Sequence, residues 1–449
     1  MNLFFLFILC ILVSFTTSSQ TIDITINNLN LGKAYLSSLS GEKTSLLDSV
    51  ESEGNGRFMF TMKEKHSGIY RLTFSKNKWF DIMYDKENIK ITTDAKAIID
   101  SMRIDDSESN RLYYSFLKLN RQYKSKSELL QLVLARYPAD DPYYNLTQST
   151  ATRLQFEYSD FVNNISQQNP NSFIARYIKS SQLPVVDFTL PLDQQLVYLK
   201  SHALDNVDFN DDDLINSDVF SNKSVEYLTY YRNPQLTKEL LEKEFMIAVD
   251  TIFNKAKINT LVYQHIAEYL IDGFKQYGFE KCISYIIENY VIKDDLCLDE
   301  SKGSSIKKMV EQKKMLPIGA TVPDFTLPDT SGNPVSLGKI KAEKILIIFY
   351  SVACPHCQSA IPHIAEYLRN HKNVAVLAIS LDTDKNEWLG YIRRNNLNWI
   401  HLRDPKGWWG SVSSSYFLYA TPTMFLLDRD KKIIAKPITI EDLQKIPLN

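Results

Sequence analysis

"YSVACPHCQSAIP", residues 350–362, carries two of the chain's five cysteines in Cys-x-x-Cys spacing, with a Pro-His pair between them. Such a pair reads as a redox centre, a metal clip or a coincidence of spacing, and its neighbours decide which. Immediately upstream, "KILIIFYS" (344–351) is a continuous apolar run, the signature of a central strand covered on both faces. An amphipathic helical pattern starts at the cysteines, so Cys354 is expected at a helix N-terminus. There the unpaired N–H groups and the helix dipole favour a thiolate. Pro355 suits the first helical turn, where its missing N–H is no loss. Cys357 can reach back one turn to close a disulfide. Cys354 is therefore expected to attack as the exposed nucleophile and Cys357 to resolve the mixed disulfide. His356, beside the Cys354 sulfur, is expected to favour thiolate further.

Working outward, "PDFTLPDTSGNPVSL" (323–337) reads as a hairpin and "VAVLAIS" (374–380) as a second buried strand. "DKNEWLGYIRRN" (384–395) reads as a helix, and "TMFLLDRDKKIIAKP" (423–437) as a closing two-strand hairpin. "YATPTMFLLD" (419–428) places Thr421-Pro422 just before a strand. A cis peptide there removes an N–H and presents backbone edges beside the dithiol, so Thr421 and Pro422 are candidate substrate-binding residues.

With "GATVPDFTLPDTSGNPVSL", "IIFYSVACPHCQSAIP", "ISLDTDKNEWLGYI" and "YATPTMFLLD", residues 317–449 resemble the thioredoxin superfamily, and within it the exported TlpA/ResA-like thiol-disulfide oxidoreductases. The preceding residues resemble the β and helical domains of Bacteroidota-type envelope proteins, through "LDSVESEGNGRFMFTM" (47–62) and "VDFNDDDLINSDVFSNKSVEYLTYY" (207–231). Three features depart from the family. Ala360 stands where TlpA-like proteins commonly carry a Glu, and Ile348 stands where thioredoxin has a buried Asp. The Pro-His dipeptide is that of DsbA-like oxidases, where the cysteine pKa falls to about 3.5. A stabilised thiolate makes the disulfide more oxidising. Family and dipeptide point in opposite directions, so the direction of electron flow stays open.

The rest of the chain sets the context. Lys plus Arg (51) balance Asp plus Glu (53), so nothing favours nucleic acid as a partner. "NLFFLFILCILVSF" followed by "TTSSQ" reads as a signal peptide over 1–19, with Thr17 and Ser19 before a cut at Gln20; an uncleaved N-terminal anchor is the rival reading, since the Met-Asn start carries no Lys or Arg. A signal peptide implies export, and the resemblance to Bacteroidota-type envelope proteins implies the periplasm or cell envelope of a Gram-negative bacterium; no later segment is long and apolar enough to predict a membrane span in the mature chain. Alternating "TIDITI", "GNGRFMFTM", "GIYRLTF" and "NIKITTD" predict a β sandwich or barrel over 20–105. Helical periodicity and scarce glycine predict an all-helical domain and linker over 106–312, with Leu241, Phe245, Ala248 and Ile252 on one face and Val262, Ile266 and Leu270 on another. The thioredoxin-like α/β domain then covers 313–449, giving a multidomain α+β chain. Cys282 and Cys297 are either a structural disulfide or two buried thiols. His202 and His265 read as surface or core residues, and the Trp408-Trp409 pair as packing.

The expected function is disulfide exchange with protein thiol or disulfide substrates and a further redox partner, without metal or organic cofactor. Three alternatives compete. A peroxiredoxin-like antioxidant fits Ser351, three residues before Cys354, but finds Ile347 where its motif needs proline. Metal handling would use Cys354, His356, Cys357 and His363, though the helical turn aims His356 poorly. A binding module with a vestigial dithiol is the third.

Overall fold

The computed structural model describes residues 20–29, 32–54, 56–294, 296 and 304–448. The segment expected to be a signal peptide, and Cys297 of the suggested disulfide, lie outside them; Cys282 is buried. Eight strands come first: β1 (Thr21–Asn27), β2 (Lys33–Ser40), β3 (Lys43–Glu51), β4 (Arg57–Thr61), β5 (Gly68–Ser75), β6 (Lys78–Tyr84), β7 (Ile89–Asp94) and β8 (Arg103–Asp106). They form two four-stranded sheets, ordered β4-β1-β7-β8 and β3-β2-β5-β6. The period-2 pattern read from "TIDITI" puts Ile22, Ile24 and Ile26 inward with Phe58 and Phe60, against Leu36, Leu72, Phe80 and Ile82 of the other sheet. Each such side chain, fully buried, contributes about 1.5–3 kcal/mol. The result is a sandwich.

Seven helices follow: α1 (Glu108–Arg136), α2 (Pro142–Gln168), α3 (Phe173–Ser180), α4 (Leu192–His202), α5 (Val219–Thr229), α6 (Lys238–Ala256) and α7 (Thr260–Gln276). Side-chain caps start several of them: Ser107 accepts from Asn110 N, Ser172 from Ala175 N, and Thr237 from Leu240 N. Phe245, Ala248 and Ile252 are buried along α6, and Val262, Ile266 and Leu270 along α7. Exposed His202 pairs with Asp205 at 2.8 Å. The chain divides into two units, Met1–Leu270 and Ile271–Asn449. The boundary expected at 312/313 therefore falls inside the second unit, which also takes the last helical residues.

That second unit contains α8 (Glu280–Ile286), α9 (Ser304–Met315), β9 (Thr326–Pro328), β10 (Pro334–Ser336), β11 (Lys344–Tyr350), α10 (Pro355–Leu368), β12 (Val374–Ser380), α11 (Lys385–Arg394), β13 (Ile400–Arg403), α12 (Ser411–Ser415), β14 (Thr423–Asp428), β15 (Ile433–Ala435) and α13 (Ile440–Gln444). A five-stranded sheet runs β13-β12-β11-β14-β15, with β11 at its centre. β11 is parallel to β12 and antiparallel to β14. Its apolar run is continuous because both faces are covered. Ile345, Ile347 and Phe349 enter one core, and Leu346, Ile348 and Tyr350 enter the other. β9 and β10 pair as the expected hairpin, where Gly332 at φ 92° takes the left-handed turn position.

Candidate active site

The parallel strands β11, β12 and β13 end at one edge of the sheet, and the dithiol is built there. After Tyr350 the chain turns, and Cys354 becomes the N-cap of α10 with Pro355 as its first helical residue. The turn is fastened by Asp382, which follows β12. Its carboxylate accepts from Ser351 Oγ (2.7 Å), from Val352 N (2.9 Å) and from Ser380 Oγ (2.7 Å). Gln358 Nε2 donates to Val352 O at 2.8 Å from within α10, closing the loop from the other side. These groups hold the segment that presents Cys354 without touching its sulfur.

The two cysteines, both free thiols here, occupy contrasting environments. Cys354 is partly exposed, whereas Cys357 has 0% of its surface accessible and lies among Leu346, Ile348, Tyr350 and Ile361. Burial alone would raise the Cys354 pKa. The Thr421 side chain and the backbone N–H groups of Cys357 and His356 outweigh it, and the net shift is downward. Burial also dominates at Cys357 and, with the neighbouring Cys354, pushes it up to about 12. His356 contributes through its backbone, while its side chain lies in solvent.

Thr421-Pro422 is cis, and the Cys354 thiol donates to the Thr421 carbonyl at 3.3 Å. Thr421 thus acts in two senses: its carbonyl favours the protonated sulfur and its side chain the thiolate. Cys354, Cys357, Thr421 and the His356 backbone come together; the His356 and His363 imidazoles do not join them. His363 Nδ1 instead bonds its own helix at Ser359 O, 2.8 Å away. Among the described residues, no group of three or more His, Cys, Asp or Glu side chains is placed to hold a metal ion.

Ile348 is fully buried and Ala360 packs against the same core as Cys357, so both positions that could have carried a carboxylate are apolar. The ionisable groups that sense the Cys357 charge are phenols. Burial, with a smaller contribution from the Cys357 charge, raises both Tyr350 and Tyr391, the latter to about 12. Trp388 Nε1 donates to Tyr350 Oη at 2.9 Å. Sequence reasoning assigned nothing to Asp382, Gln358, Tyr350 or Tyr391. Only the Ser-x-Asp following a buried strand offered a signal, for Asp382. Trp409 also corrects the packing expectation, since its surface is 90% exposed.

A central parallel strand leading to a Cys-x-x-Cys at a helix N-terminus, opposite a cis-proline, defines the thioredoxin-like class of thiol-disulfide oxidoreductases. Comparison with known proteins agrees. Residues 318–436 match the AhpC/TSA family and residues 20–113 match a domain of unknown function, DUF4369. The thiol-disulfide oxidoreductase ResA of Bacillus cereus is 27% identical over 128 residues, covering 28% of this chain and 72% of that protein. A solved domain described as a possible thiol-disulfide isomerase, from Cytophaga hutchinsonii, is 31% identical over 29% of this chain and 89% of its own, with a TM-score of 0.27. A thiol-disulfide oxidoreductase from Bacteroides fragilis is 28% identical over 28% of this chain and 95% of its own, with a TM-score of 0.26. The C-terminal portion of the chain is a thioredoxin-like domain with ResA-like relatives.

Proposed function

We propose that the protein is an exported thiol-disulfide oxidoreductase that exchanges disulfides with protein substrates through Cys354 and Cys357. The asymmetry of the pair carries this reading: an accessible thiol with a lowered pKa sits one helical turn from a buried thiol raised to about 12. In the reducing direction, Cys354 thiolate attacks a substrate disulfide, forming a mixed disulfide and expelling one substrate thiolate. Cys357, once deprotonated, attacks Cys354 Sγ and expels the second. The substrate gains two electrons and the enzyme is left with a Cys354–Cys357 disulfide. The oxidising direction is the reverse. Thr421 and Pro422 offer backbone to the substrate segment beside the sulfur, and Pro355 sets the helix start.

The direction is read from the reduction potential of the Cys354–Cys357 couple: a value near the DsbA value of about −120 mV makes the enzyme an oxidant. Equilibration in glutathione buffers measures this, and a value near thioredoxin's, about −270 mV, would make the enzyme a reductant. Exchange itself is tested by Cys354→Ser, which should abolish turnover of insulin or scrambled protein. Undiminished turnover would refute the assignment. Peroxide consumption by the reduced protein would instead favour an antioxidant role, although Ser351, its candidate hydroxyl, is bonded to Asp382. Export rests on the apolar N-terminal run and predicts a mature chain beginning at Gln20, readable by mass spectrometry. Among the described residues no helix is long and apolar enough to cross a membrane.

A further inference from the structure

The first unit contains a groove that thiol exchange does not use. Between α3 and α4 the segment Leu183–Phe188 runs without regular secondary structure, yet it alternates like a strand. Val185 is 43% exposed and Asp187 is exposed, whereas Val186 and Phe188 are each 5% exposed. Both ends are pinned. Buried Lys223 donates to Gln182 O at 2.5 Å, and Leu183 N donates to Tyr158 Oη at 3.1 Å. Beyond the far end, Leu190 N bonds Asp187 O, and Gln195 Nε2 donates to Leu190 O at 2.7 Å. Between the pins, the N–H and C=O groups of Val185 and Val186 have no hydrogen-bond partner among the described residues.

Cavities flank this edge. One of about 700 Å³ is walled by Leu183, Pro184, Val186 and Phe188 together with helical side chains. A second, of about 390 Å³, continues past Phe188 to Leu190, and Gln131 and Phe188 line both. An extended segment of six residues spans about 17–20 Å. Unpaired backbone donors and acceptors beside cavities with room for several side chains match another extended polypeptide: backbone would pair with backbone, and alternate side chains would enter the cavities. Because the edge is held at both ends, little ordering entropy remains to oppose binding. Carboxylates outnumber ammonium groups around the larger cavity (Glu42, Glu128, Asp218 and Glu226 against Lys124 and Lys223), which disfavours an acidic occupant.

We propose that the edge Leu183–Phe188 captures an extended, apolar segment of an unfolded polypeptide by strand addition. This binding needs no thiol and is separable from disulfide exchange. The probe is fluorescein-labelled insulin B chain with both cysteines blocked by neutral carbamidomethyl groups, titrated with the full chain and followed by anisotropy. Saturable binding is expected. Val185→Pro, which removes a pairing N–H at an exposed position, and Val225→Asp, on the wall of the larger cavity, should each weaken it at least tenfold. Neither should change the rate of exchange with a small disulfide. Cys354→Ser should bind the probe as wild type does, so failure of the redox assignment would leave this result standing. Circular dichroism identifies a variant that fails to fold, and the other variant then decides. No saturable binding by wild type, or unchanged affinity in a folded variant, would overturn the proposal.

Discussion

Cys354 and Cys357 lie one helical turn apart and differ in what surrounds each sulfur. Cys354 receives hydrogen bonds at the start of α10 that outweigh its partial burial, while at Cys357 full burial outweighs the hydrogen bonds from the Ser351 backbone and the Thr421 side chain. Their alkylation should therefore separate with pH. Thiolate is the reacting form, so reactivity rises as pH passes each pKa. Iodoacetamide should modify Cys354 with a midpoint below the ordinary thiol value of about 8.5. Cys357, assayed in Cys354→Ser, loses the contribution of the neighbouring sulfur but keeps that of burial, the larger cause, so its midpoint should still lie above the ordinary thiol value. Quenched-flow labelling with peptide mass analysis reads both, and coincident midpoints would remove the basis for distinct roles.

At the scale of elements, α10 and β11 create this difference between them. β11 delivers the chain to the sheet edge with both faces covered, and α10 offers its N-terminus to one sulfur and its buried face to the other. Ala360 sits on that face, three residues beyond Cys357 and packed against the same core. Ala360→Glu should place a proton acceptor beside Cys357 and raise the insulin-reduction rate about tenfold or more, by general-base assistance to the resolving step. The carboxylate would be partly buried, so a stability loss of about 1 kcal/mol in urea is expected with it. An unchanged reduction rate in the folded variant would mean that deprotonation of Cys357 does not limit turnover.

At the scale of the molecule, the two units each have their own core, and four of the chain's five tryptophans (Trp388, Trp399, Trp408 and Trp409) fall in the second. Tryptophan fluorescence therefore reports chiefly on the second unit, while far-UV circular dichroism is dominated by the helices of the first. Leu346→Ala, in the centre of β11, should cost about 2–5 kcal/mol. It should shift the fluorescence transition in urea and leave most of the dichroism transition in place; equal displacement of both would show one cooperative block.

Much of this architecture is legible in the chain because it depends on local order. Period 2 in "TIDITI", the uninterrupted "KILIIFYS" and a proline directly after a cysteine each constrain the backbone wherever they occur. The same locality fixes Cys-Pro-His-Cys as a dithiol at a helix start. Tertiary structure decided what depends on groups far apart in sequence. Asp382 clasps Ser351 and Val352 across some thirty residues, and Thr421 reaches Cys354 from still farther away. Burial places Cys357 where its charge is costly and leaves Trp409 in solvent, although both residues look equally apolar in sequence. Periodicity states which face of an element is apolar. What covers that face, and which distant donor meets a sulfur, is settled only when the elements pack.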